Sequence, residues 1–109
     1  MKSLQTMLEA LYTDFTDLSC PVTHYRRLSK YPYLVWTEDR EAYSLSGDNH
    51  KQEQAIAGYI DYFTKTEFDP AVDQVQEILN SQNVAWSLDS VDYEDSTNLI
   101  HYRWLWETR

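Results

Sequence analysis

The chain has 109 residues, a length that suits one domain with one modest core and no need of a metal or disulfide framework. Its 42% hydrophobic and 15% aromatic content excludes a disordered chain. Nine basic against 18 acidic residues give a net charge of −9, which disfavours nucleic acid and anionic membranes as partners. One cysteine, Cys20, rules out an internal disulfide and fits a reducing cytosol. The opening MKSLQTMLEAL lacks a continuous apolar stretch and a small-residue cleavage site, so no signal peptide is expected. No apolar run approaches a membrane span.

From residue 3 to about 18, Leu4, Met7, Leu8, Leu11, Phe15 and Leu18 recur at spacings of three and four. That stripe predicts an amphipathic helix with Ser3 as its N-cap, ended before Pro21. THYRRLSKYP, residues 23–32, is a polar connector holding Arg26, Arg27 and Lys30. YLVWTE and EAYSLS, residues 33–38 and 41–46, predict a β-hairpin with a tight turn near Glu38–Arg40. SGDNHKQ, residues 46–52, is a loop by composition.

Residues 54–64 predict a long strand that is partly apolar on both faces and therefore central, with Gly58 as a bulge or close-packing point. Asp69-Pro70 then announces a helix, Asp as cap and Pro in the first turn. Val72, Val75, Ile78 and Leu79 form its stripe. Residues 84–93 and 99–107 predict two further strands around an EDSTN turn. The order is α-β-β-β-α-β-β: one α+β domain over 1–109, a mostly antiparallel sheet with two helices packed on it.

Catalytic and ligand motifs are weak throughout. His24, His50 and His101 lack metal-ligand spacing. Gly47 and Gly58 are isolated, so no phosphate cradle is expected, even at the charged join TKTEFDP. No Gly-x-Ser-x-Gly elbow is present. The carboxylates Asp89, Asp92, Glu94 and Asp95 crowd one strand end, and among 18 acids such a cluster reads as a solvated face. The chain is expected to be no enzyme and to need no cofactor or metal.

The aromatics are the stronger signal. Ile100, Tyr102, Trp104 and Trp106 share one face of LIHYRWLWE. A small core is expected to hide only part of the nine Tyr and four Trp, which predicts a partner-facing surface.

The succession of an amphipathic helix, YPYLVWTE, the loop SGDNHKQEQ, AIAGYIDYFTK, DPAVDQVQEIL and VDYEDSTNLIHYRWLWE resembles the tail terminator proteins of long-tailed bacteriophages, the tail-completion and head–tail joining family. The likeness covers nearly the whole chain and lies in element order rather than in a catalytic signature. It implies a small structural subunit of the virion forming a ring, typically six-fold. That ring caps the head-proximal end of the tail tube and meets the head–tail connector, after assembly in the host bacterial cytoplasm. Its partners would be further copies of itself, the tail tube protein and the connector proteins, with passive contact to DNA in the channel and none to membranes. Carried onto this chain, the hairpin 33–46 and its following loop would reach toward neighbours. Arg26, Arg27 and Lys30 would supply cations, and Tyr33, Trp36, Tyr43, Tyr102, Trp104 and Trp106 would supply aromatic contact. A different class is a small acidic inhibitor or DNA mimic of the anti-CRISPR or anti-restriction type, motivated by the net charge.

Overall fold

The computed structural model describes residues 4–42, 55–82 and 84–108. It is an α+β structure in which two helices accompany a five-stranded, mostly antiparallel sheet. The elements are α1 (Leu4–Phe15), β1 (Val22–His24), β2 (Tyr33–Glu41), β3 (Ile56–Thr64), α2 (Pro70–Ser81), β4 (Val84–Glu94) and β5 (Leu99–Thr108). Across the sheet the order is β1-β2-β3-β5-β4, so β3 is central as its two apolar faces require.

Two strands differ from the sequence expectation. No turn occurs near Glu38–Arg40, because β2 runs unbroken to Glu41 against β3. The charged triplet is absorbed by a register shift: Glu38 lies opposite Gly58 and Arg40 opposite Ala57, which leaves Asp39 as the extra residue. The expected second strand, 41–46, is therefore not a separate element: Glu41 ends β2, Ala42 is buried and donates to the Ala55 carbonyl at 2.8 Å, and residues 43–46 fall outside the described residues together with the loop 46–52. The second difference is β1. Val22–His24, inside the polar connector, pairs in parallel with Leu34–Trp36. The letter order of the fold thus matches, with β1 taking the place given to the hairpin's second strand.

The core lies between the sheet and the helices. Leu8, Leu11, Phe15 and Leu18 from the first segment meet Val75 and Leu79 of α2, and both meet Leu34, Trp36, Ile60, Tyr62, Trp104 and Trp106 from the sheet. These sheet residues alternate along their strands, so all of them project from one side. Gly58 belongs to the same side, and its missing side chain has a reason. A Cβ there would lie 2.0 Å from the Thr37 carbonyl oxygen and 2.8 Å from the Trp106 ring. The bulged backbone of β2 and an indole both occupy that space.

The join between β3 and α2 is built around Asp69. Its carboxylate accepts from the Ala71 N–H at 2.9 Å as the helix N-cap, and from the Tyr62 and Thr64 hydroxyls at 2.7 Å each. Pro70 follows in the first turn. Burial by itself would raise the Asp69 pKa, but these donors hold it below the ordinary carboxylate value. Just ahead of the cap, Phe68 takes a left-handed backbone (φ 55°) and is 95% exposed.

Candidate functional site

The sheet face opposite the helices carries a different chemistry. Asp61 on β3 and Arg103 on β5 are direct cross-strand partners, as are Phe63 and His101. The Asp61 carboxylate is 4% exposed and accepts from Arg103 Nε at 2.7 Å and from His101 Nε2 at 2.6 Å. Desolvation pushes this carboxyl up, yet the hydrogen bonds from His101 and Arg103 prevail and hold it below its ordinary value. The Arg103 guanidinium in turn sits 4.5 Å over the Tyr59 ring, and the His101 ring stacks on Phe63 at 4.3 Å.

Beside this cluster runs a groove of about 390 Å³. Its floor is aromatic, with Tyr33, Phe63 and His101, and the connector folds over one wall. Leu28 packs against Tyr33, Val35 and Phe63, and Arg27 lies 5.2 Å above the Phe63 ring. Asp92 and Glu94 of β4 form the opposite wall. The groove therefore has a cationic rim, an acidic rim and an apolar base, which suits contact with a polar protein surface.

A second aromatic stack closes the other edge. His24 of β1 lies between Tyr25 and Trp36, with ring separations of 3.9 and 4.0 Å, and its Nε2 is 2.5 Å from the Glu38 carboxylate. Hydrogen bonding to Glu38 pushes the Tyr25 phenol up to about 12. Burial pushes Glu38 up, but Tyr25 and His24 together bring it below its ordinary value. Tyr25 adopts φ 72° to reach this position.

The described residues expected to face partners divide into three groups. Arg26, Arg27 and Lys30 are exposed on the connector. Tyr102 is half-buried and stacks on Trp104 at 6.0 Å. Trp36, Trp104 and Trp106 are at most 2% exposed in the core against the helices and present no surface to a partner, while Tyr33, also 2% exposed, lies on the opposite face beneath the connector at the base of the groove. The two helices cover more of the sheet than a small core was expected to need, and Trp104 even finds a donor role, its Nε1 giving to Gln76 of α2 at 3.2 Å. Tyr43 lies outside the described residues.

The exposed large apolar side chains are others, among them Leu88, Val91 and Tyr93 on β4, Phe68 before α2, and Tyr12, Tyr25 and Tyr31. The Asp61–His101–Arg103 cluster also went unforeseen. Its one sequence signal is His101 and Arg103 at i and i+2 on the polar side of an otherwise apolar strand.

Among the described residues no group of three His, Cys, Asp or Glu side chains is placed to hold a metal, and no helix is long and apolar enough to cross a membrane. No protein-family model matches this chain, and no curated protein matches it.

Proposed function

We propose that this chain is a bacteriophage tail terminator: a structural subunit that assembles into a ring on the head-proximal end of the tail tube, stops its growth and meets the head connector. The observation that carries the proposal is the order of elements, α-β-β-β-α-β-β, with both helices on one side of the sheet. That order accompanies the phrase-by-phrase resemblance along nearly the whole chain. The free surface is of the kind a ring subunit needs. Both sheet edges are unpaired among the described residues, the open face carries a groove with charged rims, and β4 exposes Leu88, Val91 and Tyr93. In this proposal the protein works by contact, and its place is the virion.

The test is to mix the purified chain with polymerising tail tube protein and observe the products by negative-stain electron microscopy and native mass spectrometry. Tubes of restricted length bearing a ring of this chain at one end are expected. A chain that never joins the tube and leaves tube length unchanged would exclude the role.

A further inference from the structure

Strand directions make the two open edges of the sheet compatible with each other. β1 runs parallel to β2, and each of the next three pairs is antiparallel. β1 and β4 are therefore antiparallel, and a second copy set beside the first would bring the β1 edge of one against the β4 edge of the other in an antiparallel sense. The contact uses two different surfaces, so it is heterologous and repeats from copy to copy.

Charge is divided between the β1 side and the β4 side of the sheet, with Arg27 of the connector reaching over the open face and Asp92 and Glu94 across the groove from it. Residues 18–37, which span β1 and the connector, contain Arg26, Arg27 and Lys30 and no acid. Residues 87–98, the outer half of β4 and its turn, contain Asp89, Asp92, Glu94 and Asp95 and no cation. In a chain of net charge −9 the first stretch is an island of opposite sign. The register places both at one level of the sheet, since Tyr33, Phe63, His101 and Asp92 form one cross-strand row. Arg27 is already engaged over Phe63. Arg26, Lys30, Asp92 and Asp95 have no side-chain partner among the described residues.

We infer that copies of this chain associate head to tail, the Arg26–Lys30 connector of one copy docking against the acidic outer edge of β4 of the next. This rests on the ring proposed above and names its subunit contact. Self-pairing of two β4 edges is disfavoured, because it would bring like charges together.

The experiment is a charge reversal read by sedimentation velocity. Arg26→Glu with Lys30→Glu is one variant, and Asp92→Lys with Glu94→Lys is the other. All four positions are exposed, so the fold is not at stake. The wild type is expected to oligomerise at low salt and dissociate progressively toward 1 M salt, where the screening length falls to about 3 Å. Each variant alone should associate about tenfold more weakly or not at all. An equimolar mixture of the two should recover the assembly, because each then meets a complementary edge, a result that misfolding cannot produce. Variants that oligomerise as the wild type does would overturn this contact while leaving the ring intact. A wild type that stays monomeric on its own and also ignores the tail tube would overturn both. Recovery failing in the mixture, with both single variants monomeric and folded, would overturn the contact alone.

Discussion

Asp61 is the most exacting residue of the structure, a carboxylate with 4% exposure that depends on two neighbours. Its native pKa lies below the ordinary 3.8, so the stability it contributes is present above that pH and is lost as pH falls through the native value. Arg103→Ala would leave the carboxylate with His101 alone. We expect a loss of about 2–3 kcal/mol, less than for a fully buried pair because the Arg103 side chain is 32% exposed. Acid unfolding of that variant should begin at higher pH than in the wild type, since burial then raises the carboxyl with less opposition. Urea melts at pH 7 and pH 4 read both effects. Gly58 is equally constrained for a steric reason. Gly58→Ala sets a methyl 2.0 Å from a backbone oxygen, and a loss of about 1–3 kcal/mol or more is expected in the same melts.

At the level of elements, the Asp69 corner supplies a graded test. Asp69→Ala removes the cap and strands two hydroxyls, for an expected loss of about 1–2 kcal/mol. Asp69→Asn keeps a capping oxygen, and thermal melting should place it between Ala and wild type. This corner was legible in the sequence because its signal is local: cap, proline and stripe lie within a dozen residues. The same holds for α1, β3 and the β4–β5 pair.

β1 and the run of β2 past Glu38 were not legible, for the opposite reason. Three residues cannot show an alternation, and β1 exists because β2 offers it an edge. Glu38, Asp39 and Arg40 have the composition of a turn, and only the partner strand, with its glycine at the bulge, lets them continue the ladder. The candidate surface was legible in part. Arg26, Arg27 and Lys30 are exposed as expected, whereas the stripe of Tyr102, Trp104 and Trp106 faces the helices, and sequence periodicity gives the face of a strand but not which face is covered.

The whole molecule is asymmetric in a way that separates its tasks. One side of the sheet holds the helices and most of the buried aromatics, and the other holds Asp61, Arg103 and the groove. Substitutions on the first side should therefore act on stability, and those on the connector and outer β4 on assembly. Phe68 offers a way to watch the second without altering the sequence. It stands 95% exposed on a short segment between β3 and α2, with a left-handed backbone that no regular element protects. A protease that cuts after aromatic residues is expected to nick the native chain there early, releasing a fragment boundary that mass spectrometry can time. The rate of that single cut, compared between the free chain and the chain on tail tubes, would report whether the α2 corner is covered in the assembled particle.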